Sequence, residues 1–310
     1  MSQPQPGLAE TAALTRNVTA LSVVTAGVLL AIKAVVWAFS GSVALMASTA
    51  DSGLDLIASA ATFFAVRYAA VPPDEEHRFG HGKAEAFASL LQAALVFASA
   101  ALILQEAIRH LLRGGTVSHE SWAVGAMAIS IVATAALVTA QTRVLRRARS
   151  VAVSGDRAHY LADLASNLIA LVGVAASSLF RAPVLDVAAG LAVAGLLLWG
   201  AIAVFREASD QLMDRELPDE ARAQIIGLVE EDTRIAKVHQ LRTRASGPIT
   251  HIQMHAALDP DLTLEAAHRV VIAAERRILT AFPAADILIH ADPHGRAEPH
   301  SGAFARNSGD

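Results

Sequence analysis

The sequence predicts a polytopic α-helical membrane domain of six transmembrane helices followed by a small cytoplasmic α+β domain, on three observations. Of 310 residues, 54% are hydrophobic and 17% charged, against about 45–50% and about 25% in soluble domains. The apolar residues gather into long runs between Val18 and Phe205, whereas the sequence from Arg206 onward is ordinary globular sequence. The runs also have the right length, since a bilayer core of about 30 Å takes about 20 apolar residues per helix. A soluble enzyme throughout is therefore excluded. The formal net charge of −4 gives no basic footprint for nucleic acid, and none is expected as a partner. There is no cysteine, which excludes disulfides, thiolate zinc sites and redox thiols. The 12 histidines and the carboxylates are then the strong metal ligands available.

The expected divisions are an N-terminal segment 1–17, a membrane domain 18–205, a C-terminal domain 206–293 and a polar tail 294–310 that reads as disordered. The six spans are Val18–Phe39, Val43–Tyr68, Ala84–Leu112, Trp122–Ala140, Ala158–Leu179 and Val184–Phe205. No signal peptide fits, because the first run lacks a small-residue cleavage site and opens a series of further spans. Basic residues set the orientation. The second loop carries Arg67, Arg78 and Lys83, and the fourth carries Arg143, Arg146, Arg147, Arg149 and Arg157. The first loop has no basic residue, the third has Arg109 and Arg113, and the fifth has Arg181. Rich loops alternate with poor ones, which places both termini and the C-terminal domain in the cytoplasm.

An ionisable residue within a span costs several kcal/mol and is a functional candidate by default. Span two carries Asp51 and Asp55, and span five opens with His159 and Asp163. Each pair is spaced i,i+4, so both side chains lie on one helical face. Two such helices facing each other converge three carboxylates and one imidazole. That mixed set suits a divalent transition metal such as zinc and not an oxygen-rich calcium cage. Ligands must deprotonate to bind metal, so the site should exchange protons for metal. Lys33, Glu106 and Asp186 are each single: the first two lie within reach of other polar groups or an interface, and Asp186 follows Pro183 at a helix start.

The second loop places Asp74, His77 and His81 within eight positions, among glycines that let the backbone fold around an ion. A polar loop of solvated charges reads the same way, and the loop alone does not choose between them. Beyond Arg206, a helix is expected from Pro218 to about Glu231, strands over Val238–Ala245 and Ile249–Leu258, a helix over Thr263–Ala281 and a last strand Asp286–Ala291. That αββαβ order suggests a sandwich with the helices on one face of the sheet. His251, Gln253 and His255 share one strand face with Ile249, opposite Ile252 and Met254. His239, His268, His290 and Asp292 lie on neighbouring elements, so a metal cluster and a set of solvated histidines both remain open. His294 and His300 belong to the polar tail and are given no role.

Taken together, these segments resemble the cation diffusion facilitator family, in its bacterial zinc and ferrous-iron efflux type. The markers are Asp51-x-x-x-Asp55, the run from His77 through Gly80-His81-Gly82-Lys83 to Glu85, His159-x-x-x-Asp163, and Leu217-Pro-Asp-Glu220. Val238-His-Gln-Leu-Arg-Thr-Arg244 and Ser246-Gly-Pro248 add to them. The resemblance runs from the first span to about Pro293. It implies a transport site of Asp51, Asp55, His159 and Asp163, and a loop site of Asp74, His77 and His81. It also implies a two-metal cytoplasmic site of His239, His255, His268 and His290, with Asp292 bridging the ions, and leaves His251 out. A homodimer, a metallochaperone-like C-terminal fold and a charge pair between Lys83 and Asp214 are implied as well. The function it implies is proton-coupled efflux of a divalent cation, Zn2+ foremost, with Fe2+, Cd2+ or another divalent transition metal as alternative substrate, across a bacterial inner membrane. An intramembrane hydrolase would want His-Glu-x-x-His on a span, and none occurs. A membrane-tethered sensor without flux is disfavoured because the cleanest ligand set lies within the spans.

Overall fold

A computed structural model describes residues 8–40, 43–113, 121–180 and 183–296. The chain divides into two compact units, with the boundary at Met213 and Asp214. The side chains of Glu106 and Asp186, the first residues of the N-terminal segment and the tail from 297, His300 included, lie outside the described residues.

The first unit is helical: α1 Leu8–Ser40, α2 Val43–Ala69, α3 Ala84–Arg113, α4 Ser121–Leu145, α5 Val151–Phe180 and α6 Pro183–Leu212. Among the described residues, three stretches are long and apolar enough to cross a membrane by length and composition: Ala9–Phe39, Ala84–Gln105 and Met127–Leu145. They lie on α1, α3 and α4. Helices α2, α5 and α6 are 27, 30 and 30 residues long, but α2 and α5 carry the ionisable pairs that dilute their apolar character. The last helix runs on to Leu212, past the expected end of the span at Phe205, because a helix keeps its hydrogen-bond ladder after the apolar run stops.

Small residues and buried polar groups hold this bundle together. Val96 and Ala100 of α3, Ala162 of α5, and Leu197 and Ala201 of α6 form one buried cluster. Asp156 of α5 is fully buried and accepts from Gln92 of α3 at 3.0 Å and from Gln141 of α4 at 2.8 Å. Gln92 also donates to Ala58 O and Thr62 Oγ1 of α2, and Gln141 donates to Ser22 Oγ of α1. One carboxylate is thereby linked, directly or through one amide, to the four preceding helices. Glu85 of α3 is likewise buried: its carboxylate accepts from Ser150 Oγ at 2.6 Å and from the first backbone N–H groups of α5. An acidic group there suits the positive end of the helix.

The second unit contains α7 Asp219–Glu230, β1 Ile235–Ser246, β2 Ile249–Leu258, α8 Leu264–Ala281 and β3 Ala285–Pro293. The sheet order is β1-β2-β3, with β1 and β2 antiparallel and β2 and β3 parallel. The Gly247 turn (φ +56) closes the β1–β2 hairpin. Thr263 caps α8, its side chain accepting from the Ala266 N–H. Ile225 and Val229 of α7 and Val270, Ala274 and Ile278 of α8 bury themselves against Ile252, Met254 and Ala256 of β2. Both helices thus cover one sheet face, and the alternate residues of β2, His251, Gln253 and His255, point to the other.

At Gly155, α5 packs closely on α3. A Cβ there would lie 2.8 Å from Ser89 Oγ and 3.1 Å from Ser89 Cα. Gly155→Ala should therefore push the two helices apart and lower stability by about 1–3 kcal/mol, as overpacking does. Thermal unfolding of the detergent-solubilised protein measures this, and an unchanged midpoint would show that the packing is looser than described.

Candidate metal centres

Among the described residues, imidazole and carboxylate atoms gather into three groups, the atoms of each lying within 4.8 Å of one another: Asp55, His159 and Asp163; Asp74, His77 and His81; and His239, His255 and Asp292. Each mixes nitrogen and oxygen donors, the chemistry of a divalent transition-metal site.

The first group joins α2 to α5 inside the helical unit. His159 is buried, its Nε2 3.0 Å from Asp55 Oδ1 and 3.7 Å from Asp163 Oδ2. One ring nitrogen faces a carboxylate from each helix. Tyr160 packs edge-on to the His159 ring, and its hydroxyl lies 2.7 Å from Ser59 Oγ of α2. The next residue after His159 therefore pins α5 to α2 beside the group. Asp51 sits one turn before Asp55 on the same face, exposed and outside the tight group of three.

The second group lies in the loop between α2 and α3. Asp74 Oδ1 accepts from the His77 and Glu76 N–H groups, at 2.6 and 3.0 Å. Its Oδ2 lies 3.1 Å from Nε2 of the buried His81. His81 Nδ1 is 3.3 Å from Val71 O, and its ring packs on Tyr68 at the end of α2. Gly80, at φ +79, makes the turn that brings His81 back toward His77. The N–H of His77, joined by that of Glu76, holds the Asp74 carboxyl below its ordinary range.

The third group lies on the open sheet face of the second unit. His239 and His255 are register partners on β1 and β2, and His290 is opposite His255 on β3. A bulge follows His239, where Gln240 takes φ +51; such bulges re-aim the adjoining side chain. Asp292 Oδ2 is 2.9 Å from His255 Nδ1 and 3.3 Å from His239 Nε2, while its Oδ1 is 3.2 Å from His290 Nε2. The two carboxylate oxygens thus face different histidines. His268 is exposed on α8, outside this group, and α8 covers the opposite face of the sheet. His251 pairs with Asp286 at 3.0 Å. Lys83 Nζ donates to Leu212 O, and Asp214 pairs with Arg244 at 3.1 Å.

Sequence reading passed over Asp156 and Glu85 as polar anchors. A signal for the first was present, since 156, 159 and 163 follow helical i, i+3, i+7 spacing and share one face.

A family model for the cation efflux transmembrane domain matches residues 19–213, and one for the cation efflux protein cytoplasmic domain matches 217–294. The chain belongs to the cation efflux, or cation diffusion facilitator, family. It is 37% identical over 284 residues to the cation-efflux pump FieF of Serratia proteamaculans, covering 91% of this chain and 94% of that one. It is 39% identical over 272 residues to the FieF pump of Yersinia enterocolitica, covering 87% and 90%. A solved structure of CzrB in its zinc form is 33% identical, covering 27% of this chain and 98% of its own, at a TM-score of 0.26. Members of this family are membrane transporters of metal cations, and the chain is a transporter and not an enzyme.

A carboxyl lowered by folding stabilises the loop above its ordinary value of about 3.9, and that contribution is lost as pH falls through the lowered folded value. The Asp74 carboxyl should titrate below 3.9 by NMR, with the His77 amide shift moving at the same midpoint. A midpoint at or above the ordinary value would mean that the His77 and Glu76 hydrogen bonds do not form.

Proposed function

We propose that this transporter exports a divalent transition metal, zinc foremost, from the cytoplasm in exchange for protons. The observation that carries the reading is the meeting of Asp55, His159 and Asp163 across α2 and α5, within a unit whose helices include stretches long and apolar enough to cross a membrane. Asp51, one turn away, is the fourth ligand of the transport site, closing on the ion when it binds. Metal displaces protons from these groups on the cytoplasmic side. Rocking of the helices then exposes the site to the far side, where protons displace the metal. Inward protons run down a potential worth about 2.3 kcal/mol per charge per 100 mV. Iron(II) and cadmium fit the same donor set and are alternative substrates.

In this reading all six long helices span a bacterial inner membrane, and the termini and C-terminal domain are cytoplasmic, as the basic loops require. The chain works as a homodimer, in keeping with the C-terminal family match. The loop group and the sheet-face group are accessory metal sites. Asp292 would bridge two ions, with His239 and His255 holding one and His290 the other. His268, outside the cluster of its own chain, joins only from a second copy.

The test is zinc flux into sealed proteoliposomes under an imposed pH gradient. Native flux should depend on the gradient, and Asp55→Ala and His159→Ala should each abolish it. Undiminished flux in both variants would move the transport site elsewhere, and no native flux of any metal would favour a sensor. Zinc stoichiometry separates the accessory ions: Asp292→Ala should lose two bound ions per chain, and His290→Ala one. Equal losses in the two variants would count against a bridging carboxylate.

A further inference from the structure

Lys33 has no part in the transport mechanism above, yet it lies inside the apolar stretch Ala9–Phe39 of α1. An intramembrane lysine is retained for a partner or a function. One that merely snorkels extends its ammonium away from the bundle toward the interface. Here Nζ instead turns to α2, donating to Ser52 Oγ at 2.7 Å and toward the Ser48 carbonyl at 3.5 Å. Ser52 is 3% exposed, directly follows Asp51 and stands three residues before Asp55. The ammonium interacts electrostatically with Asp51 and with Asp163 across on α5. It is therefore tied to the ligand-bearing helix without occupying a ligand position.

We propose that Lys33 is a specificity-determining residue of the transport site, a fixed positive charge that matches the site to a divalent cation. The inference rests on the membrane-site reading given above. Asp51, Asp55 and Asp163 supply three negative charges, a ligating imidazole is neutral, and Lys33 returns one positive charge. A divalent ion then brings the assembly to neutrality, which low-dielectric surroundings favour. A monovalent ion leaves one negative charge uncompensated, and a trivalent ion leaves one positive. With Lys33 neutralised the preference moves up by one charge: the divalent-loaded site stays negative and a trivalent ion becomes the matching occupant.

The test uses the full-length chain in detergent with His77, His239 and His255 replaced by alanine, so that the membrane site dominates binding. Measurement at mildly alkaline pH keeps proton competition low. Zinc is followed by competition with a chelating dye, and terbium, as a trivalent probe, by its luminescence. Lys33→Gln should tighten zinc on the order of tenfold and terbium about thirtyfold, because the Coulomb energy scales with the charge of the ion. Lys33→Arg should keep the native ratio of the two affinities. Ser52→Ala, which unties the ammonium without removing it, should change the ratio in the same direction by less. Unchanged or weaker zinc binding in Lys33→Gln, or equal changes for both ions, would overturn the proposal. If Lys33→Gln does not fold, the same criterion applied to Ser52→Ala decides. Asp55→Asn in the same background separates the two layers: native-like zinc binding there would sink the membrane-site reading itself, whatever Lys33 does.

Discussion

The constraint on which the helical unit depends is the cost of placing carboxylates and an imidazole among apolar helices. A charge removed from water must be paired, hydrogen-bonded or neutralised. Around Asp55, His159 and Asp163, the imidazole from α5 is set between carboxylates from α2 and α5. The same arrangement that makes the group tolerable gathers one nitrogen and two carboxylates, the donor types that suit a divalent transition metal.

The rest of the helical unit keeps that encounter in register. Without a hydrophobic drive between helices in lipid, packing of small residues and interhelical hydrogen bonds must hold the bundle. Asp156 answers this one turn below His159: its carboxylate gathers amides from α3 and α4, which in turn reach α2 and α1. Gly155 beside it lets α3 approach, and Glu85 holds the first turn of α5 from α3. Helix α5 is thus secured through its first two turns, just before His159. Any movement that opens the site must carry these polar contacts along or exchange them, which favours motion of packed helices as bodies over local unwinding.

Most of the fold was legible because period and length are carried by single residues. The sequence predicts β2 over Ile249–Leu258 and the end of α8 at Ala281, as found, since alternation and helical spacing are local properties. The long helices are legible as apolar runs, but their ends are not: α1 starts ten residues before Val18, and α5 starts at Val151 and not Ala158. Polar helical turns outside the lipid have the same hydrogen-bond ladder without the apolar signature. The i,i+4 pairs announced the α2–α5 group for the same reason of period. What period does not encode is which side chains from distant segments meet. Asp292 presenting one oxygen to His255 and the other to His290 depends on strand register. The position of His268 depends on which sheet face α8 covers. The contact of Lys33 with Ser52 needs two helices placed side by side.

The three donor groups differ in how far each is shielded, and that difference orders their uses. The loop group combines a buried His81 with a half-exposed Asp74 and His77. The sheet-face group keeps Asp292 buried while its histidines remain open to different degrees. Only the α2–α5 group places all three members behind a mostly closed wall, none above 19% exposed at the side chain. Electrostatic interactions strengthen as water is excluded, so this group gains most from a bound cation and loses most when left unpaired. Under the proposed exchange, a site with that balance would hold protons when metal is absent and metal when protons are absent. The other two groups each set one buried member, His81 or Asp292, beside partners that water reaches, so the balance there is less demanding.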